Sequence, residues 1–152
     1  MNFKISTGIL ITALILPLST QSAGKDSEMD FSNYLRSFDY QERKDMKIDI
    51  PTLLNALHEG NVEIIDIRFP EEVAAWSMGF TKSIPLNELP DRLDELDKSK
   101  LIVTVCPHAD RAAIARHYLT LQGFNSKYLV EGLMGLADHL RGDRAKEFIE
   151  NK

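Results

Sequence analysis

The chain of 152 residues is long enough for one domain with short appendages, and 43% hydrophobic and 27% charged residues are typical of a globular protein. Its 23 acidic and 18 basic residues give a net charge of −5, which argues against nucleic-acid binding because that needs phosphate-neutralising charge. The single cysteine excludes an internal disulfide and a cysteine-rich zinc site.

The N-terminal segment has the pattern of a secretory signal peptide. Lys4 precedes an apolar run over residues 5–18, and small residues then lead to Ala23. The run is shorter than the roughly 20 apolar residues of a membrane-spanning helix, and Pro17 interrupts it. We therefore predict a signal peptide over 1–23, export to the periplasm and no stable membrane span after cleavage. An uncleaved N-terminal anchor is the alternative.

An N-terminal helix and a linker are predicted over residues 24–47. Apolar residues recur at helical spacing behind Asp30, a favourable N-cap, and charged residues dominate 41–47. The apolar positions are Phe31, Tyr34, Leu35 and Phe38. We expect this helix to pack on the rest of the chain, with a partner protein as the alternative, and residues 41–47 to form the linker.

Short strands and helices alternate over residues 48–147, where we predict one domain, followed by a C-terminal tail over 148–152. Strands are expected at 62–67, 83–86, 101–105 and 126–130, and helices at 51–57, 70–76, 89–96, 111–121, 133–140 and up to Glu150. The run 101–105 is continuously apolar and β-branched, as in a central parallel strand. The alternation predicts an α/β fold in which a mostly parallel sheet carries helices on both faces.

The only cysteine, Cys106, follows this predicted central strand and begins a loop that leads directly into a helix. Active sites of open parallel sheets form at such strand ends, where free amides and the positive end of a helix dipole meet. A partly buried anion gains up to about 2 kcal/mol there, so we expect the pKa of the thiol to fall from about 8.5 towards 7. Arg111 could add positive charge, and Asp110 would oppose it.

Four short segments follow one another along residues 48–147: residues 64–68 with Glu71 and Glu72 after them, residues 84–86, the loop 106–111, and residues 128–132 before a helix. Taken together in this order, they resemble the rhodanese-like domain family. The resemblance implies a sulfurtransferase that needs no cofactor or metal, with Cys106 as the persulfide-forming residue. It also implies that Asp66 and Arg68 support the loop, whose persulfide-binding residues would be Pro107, His108, Ala109, Asp110 and Arg111.

The loop chemistry predicts the substrate class. Thiosulfate is a dianion, and one Arg111 offset by Asp110 should hold it weakly, so we expect a persulfide or polysulfide donor. The acceptor would be a small thiol or cyanide, with a protein thiol as a further candidate.

Several alternatives stay open. Arg111 either stabilises the sulfur anion or turns outward, and His108 is either a proton shuttle or a solvated loop residue. A non-catalytic binding or redox-sensing module is the main alternative function. A phosphatase is disfavoured because four residues separate Cys106 from Arg111, where the phosphatase pattern has five. His58, His117 and His139 lie singly, without metal-binding spacing.

Overall fold

The computed structural model describes residues 30–151. The predicted signal peptide lies outside these residues. Within the described range, no helix has the length and apolar character that crossing a membrane requires.

The fold is built on a five-stranded sheet in which every pairing is parallel. In sequence order the strands are β1 (Lys47–Ile48), β2 (Val62–Asp66), β3 (Lys82–Ser83), β4 (Leu101–Val105) and β5 (Ser126–Leu129). Their order in space is β1-β5-β4-β2-β3, so β4 is the middle strand. This confirms the predicted α/β fold and the central position of 101–105.

Seven helices are described within residues 30–151. They are α1 (Phe31–Ser37), α2 (Tyr40–Asp45), α3 (Ile50–His58), α4 (Pro70–Ala75), α5 (Asp110–Leu121), α6 (Gly132–His139) and α7 (Asp143–Glu150). Residues 89–96, predicted as one helix, instead contain two short 3₁₀ turns, Leu89–Asp91 and Leu93–Glu95. Pro90 lies in the first turn of the first of them, where a missing amide removes no hydrogen bond within the helix.

The predicted linker over 41–47 is wrong, because α2 occupies most of it. The Asp39 carboxylate caps this helix by accepting the amide of Glu42 at 2.8 Å. A cap residue followed three positions later by glutamate is a helix-start signal that charge composition alone conceals.

Successive side chains of a strand point to opposite faces of the sheet, and helices cover both faces, so two separate cores form. On β4, Ile102 packs with α5, whereas Val103 and Val105 pack with α3 and α6. Cys106, one residue beyond β4, falls on the α5 face. The strand register therefore points the cysteine towards the first turn of α5.

The N-terminal helix packs on the domain through a buried polar cluster, which confirms the expected contact within the chain. Tyr34 donates its hydroxyl to Glu42 at 2.7 Å and accepts Arg116 Nη1 at 2.8 Å. Arg116 is nearly buried on α5 and also pairs with Glu42 at 2.6 Å. Phe31 and Leu35 of the same helix remain exposed, so only one face of α1 is covered.

Candidate active site

Cys106 lies at the carboxyl end of β4, directly below the start of α5. Its side chain is fully buried, and its Sγ accepts the amide of Ala112 at 3.4 Å. Thr104, two residues earlier on the same face, donates its hydroxyl to the carbonyl of Ala112 at 2.8 Å. The strand thus anchors the helix turn whose amide faces the sulfur.

The pKa of the Cys106 thiol is raised, so the expected shift towards 7 is wrong in direction. Burial is the largest cause and penalises the thiolate. The amides of Ala112, His108 and Arg111 lower the pKa, but not enough to reverse the shift. The sulfur therefore has the donors of an anion cradle while resting predominantly as a thiol at neutral pH.

Asp110 contributes to this balance from the mouth of the site. Its Oδ1 lies 3.6 Å from Cys106 Sγ, close enough to accept the thiol proton in a weak hydrogen bond. The amide of Arg111 is the main reason that the pKa of Asp110 is lowered, so the group is a carboxylate at neutral pH. Its charge raises the pKa of Cys106.

Arg111 does not point to the sulfur with a free guanidinium. It forms a two-pronged ion pair with the Glu72 carboxylate, at 2.6 and 2.8 Å, and its Cζ lies 5.9 Å from the centre of the Phe69 ring. The hydrogen bonds from Arg111 lower the pKa of Glu72 to about 2. Glu72 also accepts the amide of Phe69 at 3.2 Å, so one carboxylate joins the start of α4 to the loop.

Asp66 and Arg68 form a second pair, which is fully buried at the end of β2. Arg68 Nη2 lies 2.6 Å from Asp66 Oδ2 and also donates to the carbonyl of Trp76 at 2.9 Å. Its guanidinium stacks 4.3 Å from the centre of the Trp76 ring. Arg68 precedes α4 in the chain and binds Trp76, which follows α4. It therefore holds the two ends of this helix, which carries Glu72. This contact supports the loop indirectly.

The loop is also held from its other side by the start of α6. The amides of Leu133 and Met134 donate to the carbonyls of Cys106 and Pro107, at 2.8 and 3.1 Å. Gly132 has φ +62°, and a Cβ built there would lie 2.0 Å from the carbonyl oxygen of His108. Only glycine permits this close approach.

The residues predicted from the sequence lie at the adjacent carboxyl ends of β2 and β4, and their exposure to solvent differs. Cys106 is buried, Pro107 and Ala109 are half-buried, and His108 and Asp110 are exposed. Sequence reasoning assigned no role to Glu72 or Thr104. The signal for Glu72 was its place three residues after Phe69, where an acidic residue commonly caps a helix. The Thr104 contact required the strand register.

Comparison with known proteins decides the family. The rhodanese-like domain model matches residues 49–139. The chain belongs to the rhodanese-like domain family. This match begins one residue after the predicted domain start and covers the buried ion pair, the loop and Gly132.

Rhodanese-like relatives support the same assignment. The chain is 27% identical over 82 residues to the thiosulfate sulfurtransferase GlpE of Pseudomonas aeruginosa, covering 54% of this chain and 74% of the relative. It is also 27% identical over 95 residues to GlpE of Stutzerimonas stutzeri, covering 62% and 87%. A solved rhodanese-like domain protein from Staphylococcus aureus superposes with a TM-score of 0.54 at 30% identity, covering 58% and 87%.

Proposed function

We propose that the protein is a sulfurtransferase that carries a sulfane sulfur as a persulfide on Cys106. The observation that carries this proposal is the placement of Sγ at the end of β4, within reach of the Ala112 amide and under the first turn of α5. Backbone donors of this kind stabilise negative charge that develops on sulfur. Membership of the family agrees with this chemistry.

The reaction has two displacement steps. The Cys106 sulfur attacks the sulfane sulfur of a persulfide, a new S–S bond forms, and the donor's old S–S bond breaks with its electron pair on the departing thiol. The attack starts from the Cys106 thiolate, whose proton goes to solvent, and the departing thiolate takes up a proton from solvent. An acceptor thiolate or cyanide then attacks the outer sulfur, and the Cys106 thiolate departs.

The charges around the loop favour a persulfide or polysulfide donor over thiosulfate. Glu72 already neutralises Arg111, the one arginine of loop 106–111. The Asp110 carboxylate at 3.6 Å from Sγ repels an approaching anion. Both effects weaken thiosulfate binding more than binding of a monoanionic or neutral donor.

The protein acts after export, on the evidence of its N-terminal pattern alone. Lys4 and the apolar run 5–18 predict a signal peptide that is removed near Ala23. Fractionation of cells, with N-terminal sequencing of the exported form, tests this part. An N-terminus near residue 24 in the periplasmic fraction is expected, whereas full-length protein held at the membrane would contradict it.

Thiocyanate production tests the proposed reaction. With cyanide as acceptor, the parent protein should turn over with cysteine persulfide at a lower KM than with thiosulfate. Cys106→Ser should abolish turnover with both donors and keep its thermal midpoint within a few degrees. Saturation by thiosulfate at low micromolar levels would contradict the donor preference.

The binding-module alternative makes a different prediction in the same assay. It rests on the raised pKa of Cys106, which reduces the thiolate fraction at neutral pH. A protein that folds, yet gives no thiocyanate from either donor even at pH 9, would favour that alternative. Turnover that rises with pH and disappears in Cys106→Ser supports the transferase.

A further inference from the structure

Thr104 places a hydroxyl that solvent does not reach in the otherwise apolar strand β4. Its side chain is fully buried, and alternation along the strand puts it on the face of Ile102 and Cys106, which pack against α5. A buried hydroxyl costs free energy unless it is hydrogen-bonded, and valine would fill the same space without that cost. Packing of the core alone therefore does not explain a threonine at this position.

The hydroxyl of Thr104 and the sulfur of Cys106 bind the same residue of α5. Thr104 Oγ1 donates to the carbonyl of Ala112 at 2.8 Å, and the amide of Ala112 donates to Cys106 Sγ at 3.4 Å. Two side chains that are two residues apart on one strand therefore hold Ala112 from both sides. Because the amide and the carbonyl belong to the first turn of one helix, a contact that fixes the carbonyl also limits movement of the amide.

A longer contact joins the same hydroxyl to the neighbouring strand. Thr104 Oγ1 lies 3.3 Å from the carbonyl of Lys127 on β5, which pairs with β4 in the sheet. The sheet thus determines the position of the hydroxyl, and the hydroxyl fixes the start of α5 against the sheet. Among the causes that lower the pKa of Cys106, the hydrogen bond from the Ala112 amide is the largest. The contact that Thr104 supports is therefore the one on which the thiolate depends most.

Resting on the proposed function, we propose that Thr104 is a positioning residue for the chemistry of Cys106, because its hydroxyl holds the Ala112 amide against the sulfur that attacks and departs as a thiolate. The hydroxyl donates to carbonyl groups and acts on the sulfur through Ala112. Asp110 and Arg111 also act on the charge of Cys106. Thr104 is uncharged, so replacing it leaves both of these charges in place.

The pH profile of alkylation by iodoacetamide tests this role on protein that carries no sulfur. Thr104→Val keeps the size of the side chain but loses the hydroxyl, so the Ala112 amide should stabilise the thiolate less and the pKa of Cys106 should rise further. We expect the midpoint of the profile to move to higher pH and the rate at pH 7 to fall about threefold. Easier access to the thiol would instead multiply the rate by one factor at every pH and leave the midpoint unchanged.

Three further variants assign the shift to the hydroxyl of Thr104. Thr104→Ser keeps the hydroxyl and should restore the parent midpoint, whereas Thr104→Ala should shift the midpoint as valine does and provides the test if the valine variant does not fold. Ser126→Ala is the matched control, because Ser126 is a buried hydroxyl that donates to another carbonyl of α5, that of Arg116, at 3.1 Å. Arg116 lies about one turn beyond Ala112, so the midpoint should remain at the parent value.

The outcomes that would overturn the proposal are equally specific. A parent-like midpoint in a folded variant without the hydroxyl, whether Thr104→Val or Thr104→Ala, would show that the contact does not affect the thiolate. An equal shift in Ser126→Ala, or a shift in Thr104→Ser as large as that in Thr104→Val, would reduce the effect to general loosening of α5.

Sulfur transfer provides a second measurement that separates this proposal from the transferase reaction. With cysteine persulfide and cyanide, Thr104→Val should lower kcat about threefold and change KM less, because the hydroxyl does not contact the donor. Thr104→Ser should recover kcat. If the parent gives no thiocyanate, the proposed function fails, while a shifted alkylation midpoint still supports the positioning role. If the parent turns over and Thr104→Val keeps both its kcat and the parent midpoint, the positioning role fails and the transferase stands.

Discussion

Two carboxylate–guanidinium pairs lie at the same edge of the sheet, yet their environments differ completely. The Asp66–Arg68 pair is fully buried, and its guanidinium also holds the carbonyl of Trp76. In the Glu72–Arg111 pair both side chains are about a third exposed, and Arg111 belongs to the loop that begins at Cys106. The same type of ion pair therefore occurs in this site once in the interior and once at the surface.

Burial explains the division. A buried charge has lost its hydration and depends entirely on its partner, whereas a half-exposed pair is screened by water and contributes little to stability. Asp66–Arg68, the inner pair, therefore fixes α4 in position. Under the proposed function, Glu72–Arg111, the outer pair, sets how much positive charge the loop offers to a substrate. The predictions below test this division, beginning with the largest expected effect.

Removing the inner cation should destabilise the fold most. Arg68→Met leaves the Asp66 carboxylate buried without its partner, so the free energy of unfolding should fall by about 3–5 kcal/mol. The matched outer variant, Arg111→Met, should cost about 1 kcal/mol or less. Urea unfolding of both variants makes the comparison. Equal losses in the two variants would show that burial does not distinguish the pairs.

Gly132→Ala should displace the loop that carries the outer pair while leaving the inner pair intact. The new Cβ would collide with the carbonyl of His108, so we expect a loss of about 1–3 kcal/mol and a clear fall in kcat. Gly123→Ala is the control, since Gly123 also has positive φ but nothing lies within 4 Å of the added atom. Similar kcat values for the two variants would refute the close-contact argument.

Glu72→Gln should release Arg111 and improve thiosulfate binding. We expect KM for thiosulfate to fall severalfold while KM for a persulfide donor changes less, because the dianion gains more from a free guanidinium. Steady-state kinetics with both donors provides the measurement. If thiosulfate KM stays unchanged, the outer pair does not control donor charge.

The same variant has a defined pH dependence. The pKa of Glu72 is lowered from 4.5 to about 2, so its stabilising effect is present above pH 4.5 and is lost as pH falls towards 2. Because the pair is about a third exposed, the effect should be about 1 kcal/mol or less. Unfolding of parent and Glu72→Gln at pH 7 and pH 2.5 should give a stability difference that shrinks with acid.

Asp110→Asn should have the smallest effect on stability but should change the reactivity of the thiol. Loss of the nearby negative charge lowers the pKa of Cys106, so iodoacetamide should alkylate it faster at pH 7. Asp143→Asn on α7 is the remote control and should leave the alkylation profile unchanged. An unchanged profile in Asp110→Asn would remove Asp110 from the electrostatics of the site.

The sequence allowed most of the sheet and the strand-end position of Cys106 to be predicted, because both depend on local pattern. The β-branched run 101–105 and the helix after it determine where the loop emerges. The shift in thiol pKa could not be predicted this way. The pKa of Cys106 depends on the burial of Sγ, which raises it, and on the amides that reach Sγ, which lower it. Both depend on the three-dimensional structure.

The partner of Arg111 was equally inaccessible to local reasoning. Asp110 is its sequence neighbour, yet the guanidinium pairs with Glu72, 39 residues earlier in the chain. The buried Arg116 at the N-terminal helices is a similar case, because its partners Tyr34 and Glu42 come from α1 and α2. Contacts between residues so far apart in the sequence depend on how the strands and helices are arranged in space.

Intact-mass measurement on purified mature protein tests the central claim most directly. After brief exposure to polysulfide and removal of excess donor, the parent should gain the mass of one sulfur atom, and peptide mapping should locate it on Cys106. Subsequent cyanide should remove that mass and release one equivalent of thiocyanate. A parent mass that does not change with any donor, or an equal gain in Cys106→Ser, would contradict a persulfide carried on this cysteine.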